Sequence, residues 1–176
     1  MSDRLYYRVG PGIWNEPWTD DERLVAVYLL TCPHRNTEGL FKLPKPYMYA
    51  DLGWDSERVD KAFDALIAMG FIEWDDRAQV VWIVAAMEWQ PQFNENQAKA
   101  SVKRMRELPP TRLFEAFLTV VGKHSRTLSK AFDDAGRKGM PFALALAHPQ
   151  PLSASLLSER NAHASDVEDQ ESVVGS

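Results

Sequence analysis

Four cations fall within eight residues of the run QAKASVKRMRE (97–107): Lys99, Lys103, Arg104 and Arg106. In a helix, Lys99, Lys103 and Arg106 stand at i, i+4 and i+7, on one face, with Arg104 beside them. Ala98, Val102 and Met105 form the opposite, packing face. Cations so arranged suit a phosphate backbone, because each contact releases a condensed counterion. The plain alternative is a solvated helix that offsets acidity elsewhere in the chain.

Three further cations are candidates for nucleic-acid contact. Arg58 and Lys61 fall on the outward positions of a strongly patterned helix, together with Glu57, Asp60, Asp64, Ala65 and Ala68. Both cations can reach bases or phosphates, but phosphate repels Asp60 and Asp64, and the same face suits protein contact. Arg77 stands at the tip of a turn, where it can enter a minor groove, flanked by Asp75 and Asp76. Lys123, Arg126, Lys130, Arg137 and Lys138 extend the basic character without a clear period.

Other residue types invite chemistry and then fail to supply it. Cys32, the only cysteine, lies two residues before His34. A zinc site needs about four ligands, and the sequence offers no second Cys and no nearby His pair. A catalytic thiol needs a positioned base, which nothing in the sequence provides. The Asp20/Asp21 and Asp75/Asp76 pairs fall at a helix start and a turn, which accounts for them without a metal. Neither GPG nor GRKG has the spacing or the lysine-hydroxyl end of a phosphate-binding loop. No catalytic residue, metal or cofactor is expected, and the tryptophans read as packing residues near element ends.

The elements that must position the cations can be traced in order. Thr19 and Glu22 form a capping box for a helix over about 20–31, with Leu24, Val27, Tyr28 and Leu30 as its apolar stripe and Pro33 beyond its end. GLFKLP (39–44) predicts a short strand. Pro44 and Pro46 flank the start of a helix that stops at Gly53. Asp55 or Ser56 caps the next helix, whose Val59, Phe63, Leu66 and Ile67 share a face, and Gly70 closes it. FIEW and QVVWIV around DDRA read as a hairpin. Helix, strand, helix, helix and hairpin is the order of a winged helix-turn-helix, with the hairpin as the wing. Asn94 and Gln97 cap a helix to about Leu108, and TRLFEAFLTVVG is a further amphipathic helix.

The expected fold class is therefore α+β and mainly helical, a winged helix-turn-helix with added C-terminal helices and a disordered tail. Residues 1–90 form the winged-helix domain, with an aromatic arm that packs Tyr6 or Trp14 on the core. Residues 91–122 form the basic helical extension, 123–149 a weakly structured segment, and 150–176 a disordered acidic tail. Charge follows these divisions: −6 over 1–90, +5 over 91–148 and −4 over 149–176, for −5 in all. Any nucleic-acid contact is thus local, because the molecule as a whole repels phosphate. No run approaches the roughly 20 apolar residues that cross a bilayer. MSDRLYYRVG has no apolar leader segment, so the cytoplasm of a bacterial cell is the expected setting.

The run from Val27 to Ile83 resembles the N-terminal domain of bacteriophage replisome-organiser proteins, and through them the winged-helix N-terminal domain of DnaD-type primosome proteins. The resemblance rests on Leu29-Leu30-Thr31, Pro33-His34, Asn36, Gly39-Leu40, Leu43-Pro44, Leu52-Gly53-Trp54, the exit from Leu66 to Ile72, and Val81-Trp82-Ile83. QPQFNENQAKASVKRMRELP is similar to the next helix of that family. The match covers roughly 4–120. It implies a phage or prophage source, binding to double-stranded origin DNA, self-association, and help in recruiting a replicative helicase or its loader. Residues 122–176 do not resemble a second, helicase-contacting domain. Two alternatives share the fold: a protein-interaction module with little DNA affinity, and a transcriptional repressor.

Overall fold

A computed structural model describes residues 12–89 and 94–137. The part of the aromatic arm that carries Tyr6, and the expected segments beyond 137, lie outside the described residues.

Sequence signals near each end fix the N-terminal elements. A helical turn, α1 (Gly12–Asn15), buries Ile13 and precedes α2 (Asp20–Thr31). Both bonds of the α2 capping box are formed: Glu22 N donates to Thr19 Oγ1 at 3.3 Å, and Thr19 N to Glu22 Oε2 at 2.7 Å. Cys32 ends the helix in an extended conformation, as the following proline demands. β1 (Leu40–Lys42) leads into α3 (Lys45–Leu52), which stops where Gly53 turns left-handed. In α4 (Ser56–Ala68) the Asp55 side chain accepts from Arg58 N at 2.8 Å, capping the helix. β2 (Ile72–Asp75), β3 (Val80–Ile83) and a short helix α5 (Ala86–Trp89) follow.

The three strands form one antiparallel sheet in the order β1-β3-β2. Leu40 faces Trp82 across one pair, and Trp74 faces Val81 across the other. Side chains alternate between the faces with period two. Phe41, Ile72, Trp74, Val81 and Ile83 point into a core with Val25, Leu29, Phe63 and Leu66 of α2 and α4. Leu40, Val80 and Trp82 point the other way, into a second core. Both faces are covered, which is why β3 reads VVWI without a polar residue.

The second core belongs to α6 (Glu95–Glu107), α7 (Leu113–His124) and α8 (Arg126–Arg137). Met105, Leu113, Phe117 and Leu128 surround the far face of the sheet, and Trp82 meets Phe117 edge to face at 6.3 Å. The described residues thus fall within one compact unit, mainly helical with a small antiparallel sheet.

Of the two arm residues expected to pack on the core, Trp14 is 67% exposed beside the buried Ile13, and Tyr6 lies outside the described residues. Two expectations need correction. The buried stripe of α2 is Val25, Ala26, Leu29 and Leu30, with Leu24 exposed, because α4 packs against that side. Residues 126–137, expected to be weakly structured, form α8. Leu128, Phe132 and Ala135 recur at i, i+4 and i+7 and are buried, and Ser125 Oγ accepts from Leu128 N at 3.3 Å at the helix start.

Candidate nucleic-acid interface

The capping pair of α6 is fully made: Gln97 N donates to Asn94 Oδ1 and Asn94 N to Gln97 Oε1, both at 2.9 Å. Its phase is then set by burial of Ala98, Ser101, Val102 and Met105. That burial leaves Lys99, Lys103 and Arg106 on the exposed face, as their spacing predicts. Those three cations do not stand alone. They line a groove of about 750 Å³ between α6 and α8, and α8 adds Arg126 and Lys130 from the opposite side. The groove floor is small and apolar, with Ala98, Val102, Ala131 and Ala135. Among the described residues Glu95 and Asp134 are the acids of the lining, against five cations. Locally the surface is strongly positive on a chain of net charge −5.

Arg126 and Lys130 line the groove although the basic residues of that stretch show no clear period in the sequence. They are spaced i, i+4, which carried the signal once Leu128 and Phe132 had been recognised as the packing face of a helix.

Arg104 is not part of this groove. Its guanidinium turns to the other side of α6, where Nη2 donates to Glu38 Oε1 at 2.5 Å and to Ser101 Oγ at 3.2 Å. The Ser101 hydroxyl also donates to Glu38. Glu38 is fully buried in the loop before β1. A carboxylate there needs a cation and a donor, and α6 brings both. The cluster Glu38–Ser101–Arg104 ties α6 to the N-terminal core. Nothing local in the sequence marks Glu38 as buried, since its partners lie more than sixty residues away.

The cations of α4 are also engaged within the fold. Arg58 grips Asp21 of α2 through Nε at 2.9 Å and Nη2 at 2.7 Å, and its guanidinium lies 3.7 Å over the Trp54 ring. The Arg58 hydrogen bonds hold the Asp21 carboxyl below the usual carboxylate range. Lys61 is exposed one turn further along. Asp60 accepts from Lys45 Nζ and from the Tyr49 hydroxyl, both at 2.9 Å. Burial, aided by the bond to Asp60, pushes the Tyr49 phenol up to about 12. Asp64 also lies 3.9 Å from Lys45 Nζ, so the outward face of α4 is a set of internal pairs plus Glu57 and Lys61.

Arg77 is exposed on the turn between β2 and β3. Asp75 at the base of that turn is buried. Its carboxylate accepts from Ala78 N at 3.1 Å, Thr111 Oγ1 at 2.7 Å and Arg112 N at 3.0 Å. Burial pushes this carboxyl up, but the bonds from Thr111, Ala78 and Arg112 outweigh it and hold it below its ordinary value. Asp75 thus fastens the hairpin to the start of α7 rather than facing a ligand.

Cys32 is buried beside Leu29, and burial pushes its thiol up, away from the reactive thiolate. His34 stacks on Tyr47, with ring centroids 5.0 Å apart. Among the described residues no group of three or more His, Cys, Asp or Glu side chains could hold a metal ion. None of the described helices is long and apolar enough to cross a membrane.

No family model, curated protein or solved structure matches this chain.

Proposed function

We propose that this chain is a non-enzymatic DNA-binding protein of replication initiation, built on a winged helix-turn-helix and holding DNA by its phosphates. The observation that carries the reading is the groove between α6 and α8, where five cations from two helices converge on an otherwise acidic chain. The element order and the strand order β1-β3-β2 support the winged-helix reading, with the β2–β3 hairpin as the wing. Self-association on origin DNA and recruitment of a replicative helicase in the bacterial cytoplasm belong to the same proposal and rest on the sequence resemblance.

The test is a titration of the full chain into labelled DNA, duplex and single-stranded, between about 50 and about 200 mM salt. Reversing Lys99, Lys103 and Arg106 to Glu is expected to weaken binding at low salt. It should also reduce the slope of log affinity against log salt by about 0.7–0.9 per lost contact. Unchanged affinity and slope would overturn the proposal. A second reading, a protein-interaction module, is favoured by one observation: α4 spends Arg58 on Asp21. It predicts no measurable affinity for either form of DNA.

A further inference from the structure

Deepening the DNA-binding reading, and resting on it, we infer that the groove between α6 and α8 holds one single strand of DNA by its phosphates and excludes the duplex. The first reason is width. The floor residues that bring α6 and α8 together are small: Ala98, Val102, Ala131 and Ala135. Helices packed through such side chains lie with axes about 8–10 Å apart. The major groove of B-DNA alone is about 12 Å wide and admits a whole helix. A duplex therefore cannot enter a cleft between two touching helices, whereas one phosphodiester chain can.

The second reason is the placement of charge. A duplex can rest only on the rims of this cleft, whereas cations that line it from both helices meet a chain lying within it. Here Lys99, Lys103 and Arg106 stand on one side of the cleft and Arg126 and Lys130 on the other. At about 1.5 Å of rise per residue, Lys99 to Arg106 covers about 10 Å of cleft and Arg126 to Lys130 about 6 Å. Two short rows facing one channel are suited to a single chain that meets cations on both flanks. Glu95 and Asp134 are the acids of the lining, so the strand's phosphates concentrate between Lys99, Lys103, Arg106, Arg126 and Lys130.

The third reason concerns the bases. Among the described residues the lining holds no aromatic side chain to stack on, and the floor offers methyl groups. Single-strand sites commonly add aromatic stacking platforms to a cationic groove; without such platforms the grip comes from the backbone charge, which is independent of sequence. The groove accordingly grips sugar-phosphate and leaves the bases facing out, a mode open to a single strand of any composition.

The experiment compares the full chain on a labelled oligothymidylate of roughly 20 nucleotides, which forms no duplex, and on a mixed-sequence duplex of equal length in the same buffer. The single strand is expected to bind at least about ten-fold tighter at low salt. Lys130→Glu on α8 and Lys103→Glu on α6 should each weaken it by about ten-fold, and Ala131→Leu, which fills the floor without changing charge, should weaken it too. Circular dichroism of each variant checks that it is folded. A duplex bound as tightly as the single strand would overturn the inference while leaving the DNA-binding reading in place. So would a Lys130→Glu variant that binds normally while Lys103→Glu does not, since that pattern describes one outer helix face. Binding to neither oligonucleotide would remove the DNA-binding reading itself, and this inference with it.

Discussion

Gly39→Ala should be among the most damaging small changes available in this protein. Gly39 sits at the entry to β1 with φ +76°, and Ile83 N donates to its carbonyl at 2.9 Å. An alanine there meets two separate penalties. The left-handed backbone costs a residue with a Cβ about 1–2 kcal/mol. The added Cβ would also land far inside van der Waals contact of the Ala86 Cβ, and 3.4 Å from the Ile83 carbonyl oxygen. Ala86 is fully buried at the start of α5 and cannot withdraw into solvent. Overpacking of a closed core costs about 1–3 kcal/mol more. The sum, roughly 2–5 kcal/mol, corresponds to a fall of roughly 4–20 °C in the melting midpoint. Gly53 supplies the control, since it is also left-handed at φ +65° but has nothing within 4 Å of the site of a Cβ. Gly53→Ala should therefore lose only the conformational part, about 1–2 kcal/mol. Thermal melts of the two variants, followed by circular dichroism, isolate the steric part by difference. Adding Ala86→Gly to Gly39→Ala should recover part of that difference beyond the separate cost of each change. Equal losses at Gly39 and Gly53 would refute the close approach of the β1 entry to α5.

Two further outcomes follow from the pairing of charged groups. Under the proposed DNA-binding reading, Arg58→Ala should leave affinity unchanged, because Arg58 already holds Asp21 and Trp54; an anisotropy titration that shows a clear loss would return α4 to the proposed interface. Asp75→Asn should destabilise the fold by about 1–3 kcal/mol near neutral pH, since an amide cannot accept all three bonds made there. Because the folded carboxyl titrates below its ordinary value, its contribution is present above the unfolded pKa of about 3.9 and disappears as pH falls through the lower folded value. Urea midpoints of wild type and variant should accordingly converge in acid, and a constant gap down to pH 2 would contradict the assignment.

What could be read from the sequence is local. The boxes at Thr19/Glu22 and Asn94/Gln97 name their helices correctly, because both halves of each box lie three residues apart. Gly53 and Gly70 mark two helix exits for the same reason. The face shared by Lys99, Lys103 and Arg106 follows from helical periodicity alone. Partners distant in the chain leave no such trace. Arg104 follows Lys103 directly on the helix, yet it turns to Glu38, a residue in a loop sixty-six positions earlier. Arg58 likewise meets Asp21 across thirty-seven positions. The α8 stripe was present in the letters, but Lys, Asp and Gly between its apolar residues diluted it, and the Phe114 and Phe117 rings that give it a partner lie on another helix.

The doubly covered sheet carries a consequence for how the protein can be divided. β3 contributes Val81 and Ile83 to one core and Val80 and Trp82 to the other, so it belongs to both halves at once. A fragment ending at Trp89 would lay Leu40, Val80 and Trp82 open to water. At about 1.5–3 kcal/mol for each large apolar side chain, that loss rivals the roughly 5–15 kcal/mol that keeps a whole domain folded. The cation-lined helices are accordingly no detachable module to be trimmed, swapped or grafted. They serve as the second wall of a shared partition, and whatever strains them is felt by the strand that the N-terminal half also depends on.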